Sequence, residues 1–243
     1  MSNFQYYRPN RFPPVVKNLI IINALVFVAQ ITFGSDPGNW IENTFALHDV
    51  RSVFFQPHQL ITHMFMHGNF EHILFNMFAL WMFGSLLENH WGPKRFIQFY
   101  VISGLGAAVL HLIVLYFEMA STYEYIRSLP GDLQLQLLRA PGYSTVEGAL
   151  INPLNTPTLG ASGAVFGCLA AFGYLFPNSL IYVYFLIPIK AKWFVIIYGA
   201  LELWLGFRNS AGDNVAHFAH LGGAIAGLIM VIIWNKTNRK TLY

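Results

Sequence analysis

Four polar side chains in an otherwise apolar chain could do chemistry: Ser162, His220, His72 and Asn76. A serine hydroxyl is a weak nucleophile until a base takes its proton, and an imidazole within hydrogen-bonding reach can do so without a third carboxylate. Ser162 sits among small residues in Gly160-Ala161-Ser162-Gly163, and His220 in Ala219-His220-Leu221-Gly222-Gly223. His72 and Asn76, four residues apart, project from one helical face. Such donors, with the backbone N–H of Ser162 at a helix start, suit the negative oxygen of a tetrahedral intermediate. The set points to acyl transfer, with Ser162 attacking a peptide carbonyl while His220 takes its proton.

Other residues compete for these roles. His217, three residues before His220, is a second candidate base, expected nearer the surface as an interfacial polar residue. His63, His67 and His72 invite a metal reading, because imidazoles one turn apart share a face. Five residues separate His67 from His72, however, no HExxH pattern is present, and no carboxylates or cysteines cluster with them. No metal is expected, and His67 is expected to tie the first outer loop to the second span. Glu202 is an ionisable residue in mid-span, which is unusual, and it either lines a substrate gate or hydrogen-bonds inward. No acidic residue is evidently placed to orient His220, since Asp213 is seven positions earlier in a turn. A Ser-His dyad is therefore expected, and not a triad. Cys168 is the only cysteine, so the sequence offers no internal disulfide and no thiolate metal site.

Membrane helices must carry these residues. Of 243 residues, 55% are hydrophobic and 10% charged, where a soluble domain has about a quarter charged. Apolar runs of roughly 20 residues recur, each long enough to cross a hydrocarbon core of about 30 Å. The fold class expected is all-α, a polytopic membrane protein with six transmembrane helices near 16–33, 60–87, 94–117, 161–176, 193–207 and 215–234. Residues 1–15 and 236–243 are expected as cytoplasmic tails around a membrane domain at 16–235. The first run follows Arg8, Arg11 and Lys17 without a small-residue cleavage site and reads as a retained helix. With the N-terminus cytoplasmic, the inner segments hold those three and Lys94, Arg95, Lys190, Lys192, Lys236, Arg239 and Lys240. The outer segments hold only Arg51, Arg127, Arg139 and Arg208. This is the asymmetry of the positive-inside rule, and it explains the net charge of +3 better than nucleic-acid binding does. Residues 34–59 and 118–159 read as long outer loops, and 179–187 as interfacial chain on the cytoplasmic side.

The fourth span is short. From Ser162 to Phe176, before Pro177, is roughly 21 Å of helix, which starts Ser162 roughly 10 Å below the outer surface. His220 lies about as deep in the last span, and His72 and Asn76 bracket the same level in the second. Non-helical backbone at that depth needs protein or a wet cavity around it. Buried polar residues there mark a functional site by default. Ala161, Gly163 and Gly167 facing Gly223 and Gly227 would let the fourth and sixth helices approach backbone to backbone.

These residues resemble the rhomboid family of intramembrane serine proteases. Gly160-Ala161-Ser162-Gly163 is similar to its GASG nucleophile motif, and Ala219-His220 with Gly223 and then Gly227 to its AHxxG motif. His67 followed by His72 to Asn76 resembles its second-helix signature, and Gly84 to Glu88 its GxxxE pattern. Where many relatives carry a tyrosine that stacks on the catalytic histidine, this chain has Phe166, whose ring can still stack. The resemblance implies a rhomboid-like helical bundle that cleaves single-span membrane proteins near their helix ends, with substrate entering past the fifth helix. It implies no cofactor. A bacterial plasma membrane is the expected location. The rival readings are a catalytically inactive rhomboid-like protein that binds membrane helices, and a histidine-lined transporter, which needs coupling carboxylates within the spans and for which Glu202 alone is thin support.

Overall fold

The computed structural model describes residues 10–34, 40–142, 150–183, 186–208 and 216–239. Asp213 and Asn214 lie outside the described residues. Helix α1, Pro14–Phe33, opens with proline at its first position, where a missing N–H costs nothing. Its first free N–H groups donate to Glu88: Val15 N to Oε1 at 3.0 Å and Val16 N to Oε2 at 2.8 Å. A carboxylate there also complements the positive end of the helix dipole.

The segment after α1 carries α2, Trp40–Phe45, and α3, Gln59–Thr62, which runs into a 3₁₀ turn at His63–Phe65. Arg51 hydrogen-bonds Asp49 at 2.8 and 2.7 Å and also reaches the Leu115 carbonyl. The Asp49 bond holds the Arg51 guanidinium above the ordinary arginine value. The second span starts later than its apolar pattern suggests. Residues 66–69 leave the helix, and Asn69 restarts it by accepting the His72 N–H at 2.7 Å as an N-cap. From there α4, Phe70–Ala79, passes through a π turn, Leu80–Gly84, into α5, Ser85–Trp91. A left-handed turn at Gly92, φ 81°, leads to α6, Pro93–Glu118.

The second outer segment carries α7, Ala120–Ser128, and α8, Gly131–Arg139, short helices that pattern alone left as loop. Helix α9 is Ser162–Leu175. The stretch read as interfacial chain pairs on itself as an antiparallel hairpin, β1 Leu180–Val183 with β2 Ile187–Lys190, in register Ile181 to Ile189. Helices α10, Ala191–Arg208, and α11, His217–Arg239, complete the described chain. Helix α1, the continuous α4 to α5 unit, α6 and α11 are long and apolar enough to cross a membrane, and α9 is a shorter apolar helix. Helix α10 carries Lys192, Glu202 and Arg208 within 18 residues. The chain is an all-α polytopic membrane protein.

Helix α9 is its centre. Ten of its fourteen residues are buried, which places it between α6, α11 and the π-turn segment. In lipid, helix association rests on close packing, and small residues permit it. A Cβ on Gly223 would collide with the Gly163 carbonyl, and one on Gly227 would lie 2.9 Å from the Gly167 Cα. Two backbones therefore touch where α9 and α11 pass. Below this seam Phe96, Phe99, Tyr100, Leu80, Leu87 and Cys168 form an aromatic-rich core.

Candidate active site

The strand-like segment before α9 fixes where the helix begins. Leu47 and Thr158 form a two-way backbone bridge at 2.8 and 2.7 Å, and Gly160 N donates to the His63 carbonyl at 2.9 Å. Gly160 then turns the chain at φ 131°, a conformation that side chains with a Cβ rarely adopt. Ser162 follows as the first residue of α9. Its backbone N–H belongs to the first turn, which has no intrahelical acceptor.

Ser162 Oγ lies 2.9 Å from Nε2 of His220. The imidazole lies flat on Phe166, one turn below the serine, with centroids 4.2 Å apart and planes 6° off parallel. Tyr198 of α10 stacks in turn on Phe166 at 5.2 Å. On its far side His220 offers Nδ1 to Glu202 Oε2 at 2.9 Å, and the same oxygen meets Nδ1 of His217 at 2.7 Å. Glu202 and His217 are both buried. Two sequence expectations need correction here. An acidic residue does face His220, coming from the fifth span and not from the turn before the sixth. His217 is no surface residue: it packs into the same buried polar group.

His72 comes to the serine from α4. A Cβ on Gly160 would lie 2.8 Å from His72 Nε2, too close for a methyl, and 3.5 Å from Ser162 Oγ, so ring and hydroxyl both border the space beside Gly160. The Gly68 N–H donates to His72 Nδ1 at 3.4 Å, which leaves Nε2 as the protonated nitrogen facing that space. Asn76 is buried one turn along, with Nδ2 on the His72 carbonyl at 3.0 Å. Beside Ser162 a pocket of about 20 Å³, lined by Gly160, His63, His111, Thr158 and Ala219, has room for a water molecule. His111 Nε2 and Thr158 Oγ1 bond at 2.7 Å on its wall.

His63, His67 and His72 do not form a ligand cluster. His63 Nδ1 bonds the Gln59 carbonyl at 2.7 Å, and His67 packs edge-on against His72 at 5.1 Å. The backbone of His67 is clamped to α1 by Gln30, through bonds of 2.9 and 3.1 Å. The backbone of this loop is thus held to the first helix, while the His67 ring packs on the second span. Among the described residues, the group that could gather a cation is Glu202, His217 and His220, with ligand atoms within 4.8 Å of one another. Both nitrogens already face one carboxylate oxygen at hydrogen-bond distance, so a cation would have to displace their protons.

The rhomboid domain, as a family model, matches residues 55–236. The chain belongs to the rhomboid family. RHOMBOID-like protein 12, mitochondrial, of Arabidopsis thaliana is 32% identical over 93% of this chain and 59% of its own length. Rhomboid protease AarA of Providencia stuartii is 26% identical over 89% of this chain and 70% of its length. Rhomboid protease GluP of Bacillus subtilis is 27% identical over 70% of this chain and 24% of its length. The chain thus spans about three fifths of the length of the first of these relatives. As a rhomboid it is an integral membrane protein, and relatives carry mitochondrial names as well as bacterial sources.

Motif and spacing pointed to Ser162, His220, His72 and Asn76 in this rhomboid, but not to the Glu202 contact. The signal was there, as a carboxylate in mid-span. What spacing along one chain could not give is the rotation of α10 that turns Glu202 towards α11. His111 and Thr158 were missed outright, although a histidine inside the third span is the same kind of signal.

Proposed function

We propose that this chain is an intramembrane serine endopeptidase, with Ser162 as nucleophile and His220 as its base. The observation that carries the reading is the 2.9 Å approach of Ser162 Oγ to His220 Nε2, made between two helices at a buried, glycine-lined crossing. Ser162 Oγ bonds the scissile carbonyl carbon while its proton passes to His220 Nε2. That proton then goes to the departing amine as the C–N bond breaks. A water attacks the resulting ester and gives a proton to His220, which returns it to Ser162 Oγ as the acid product leaves. The oxyanion would lie beside Gly160, where His72 and Ser162 meet, with His72 Nε2–H and the Ser162 N–H as donors and Asn76 bordering the site. Gly160, Gly163, Gly223 and Gly227 keep the crossing close, Phe166 supports the imidazole, and Glu88 fastens the first helix.

The substrates proposed are single-span membrane proteins cut at or near a helix end, reaching the serine past α10. That route is supported by the exposure of most of α10, including Trp204 and Phe207. The membrane domain is set at 16–235 with both termini cytoplasmic, on the Lys and Arg bias of the segments. A bacterial plasma membrane fits the bacterial proteases among the relatives, and the mitochondrial names set the organelle against it.

Purified protein in liposomes, given a labelled transmembrane substrate, tests this. Cleavage insensitive to EDTA is expected, and Ser162→Ala or His220→Ala should each reduce it by at least about 10³-fold. Cleavage that persists in Ser162→Ala would overturn the assignment. Binding without cleavage in the native protein would leave a helix-binding rhomboid instead.

A further inference from the structure

We infer that Glu202 is a positioning residue that sets the tautomer of His220, and that His217 anchors Glu202 for this purpose. The inference rests on the serine protease reading above and adds a third member to its machinery. Glu202 Oε2 stands 2.9 Å from His220 Nδ1 and 2.7 Å from His217 Nδ1. An ionised carboxylate only accepts hydrogen bonds, so each of these contacts needs a proton on the imidazole nitrogen. A neutral His220 with its proton on Nδ1 has a bare Nε2. That is the atom facing Ser162 Oγ, and only a bare nitrogen can take the serine proton. The opposite tautomer would leave Nδ1 and the carboxylate facing each other with no proton between them.

His217 gives the carboxylate its second hold. The two contacts come from positions 217 and 220 of one helix to one oxygen, so Glu202 bridges α10 to the turn of α11 that carries the base. Both Glu202 and His217 are nine-tenths or more buried. Water therefore offers little competition, and once His220 gains the serine proton its new charge lies against a carboxylate. A buried carboxylate in that place orients the imidazole and stabilises the imidazolium without itself becoming protonated. Within a membrane this also gives a mid-span glutamate two hydrogen-bond partners on a helix that is mostly exposed.

The test uses the native protein and three variants in one liposome cleavage assay, with helicity and thermal unfolding measured for each. Glu202→Gln is expected to lower kcat by about 10² to 10⁴-fold while KM changes less than about threefold, because the residue touches no substrate. Glu202→Asp should recover at least a tenth of the native kcat, and His217→Asn should cost about tenfold. A purely structural role for Glu202 would instead lower melting temperature and leave the kcat of the folded fraction unchanged. The native protein also gives an answer that needs no variant. With ¹⁵N-labelled histidine, His220 should show a protonated Nδ1 and an unprotonated Nε2 at neutral pH. An Nε2–H tautomer, or a Glu202→Gln variant with native kcat, would overturn the inference while leaving a Ser-His protease intact. Absence of cleavage by the native protein, with His220 still in the Nδ1–H form, would remove the protease reading and keep the carboxylate contact.

Discussion

Two regions meet at His220 and are built on opposite terms. The α9 to α11 seam is nearly all interior: glycines bring backbones into contact, and ten of fourteen α9 residues are buried. Helix α10 buries three of its eighteen residues, Ala191, Glu202 and Gly206, and turns Trp204, Phe207 and Ile197 outward. Ser162 and His220 therefore share the closely packed region, while the carboxylate and the Tyr198 ring that back them come from the more exposed one. A helix with few buried contacts opens at lower cost than a packed one. Loosening of α10 would thus disturb the support of His220 before it disturbs the Ser162 to His220 pairing.

Among changes that leave Ser162, His220 and Glu202 in place, breaking the closely packed side should have the largest effect. Gly223→Val forces a branched side chain into the Gly163 carbonyl, and overpacking of this kind costs about 1–3 kcal/mol or more. Lower melting temperature together with at least about a hundredfold loss of cleavage is expected, since the helices that carry the pair must separate. Retained activity in Gly223→Val would mean that the seam does not set the catalytic distance. Next comes the ring between the two regions. Phe166→Leu removes the flat support of His220, and about a tenfold fall in kcat is expected, with recovery in Phe166→Tyr because a phenol ring stacks equally well.

A change far from the crossing should separate stability from chemistry. Glu88→Gln weakens charge-assisted bonds to two backbone N–H groups of α1, which are worth about 1.5–3 kcal/mol each when intact. The melting temperature should fall while the turnover of folded protein stays native. On the α10 side, Ile197→Leu exchanges one outward-facing apolar residue for another and should move stability by less than about 0.5 kcal/mol. A large loss there would show that α10 packs more tightly than its exposure implies.

The sequence made the membrane fold legible because apolar runs, flanking charges and the Pro177 stop are local signals. It placed Ser162, His220, His72 and Asn76 at one level because helical rise converts residue counts into depth. It did not show that the second span restarts at Asn69, since Met64, Phe65 and Met66 are as apolar as the helix that follows. The outer helices α7 and α8 were equally hidden, their amphipathic faces being short. Glu202 was visible as an oddity, but its partner was not, because rotation of one helix about its axis depends on tertiary packing. The same gap made His217 look interfacial when it is a buried partner of that carboxylate.

A fluorophosphonate probe interrogates the central pairing most directly, because only an activated hydroxyl attacks its phosphorus and displaces fluoride. Peptide mapping of the treated native protein should find one adduct, on Ser162, and His220→Ala should remove it. An adduct on another serine, or undiminished labelling of Ser162 in His220→Ala, would contradict the account.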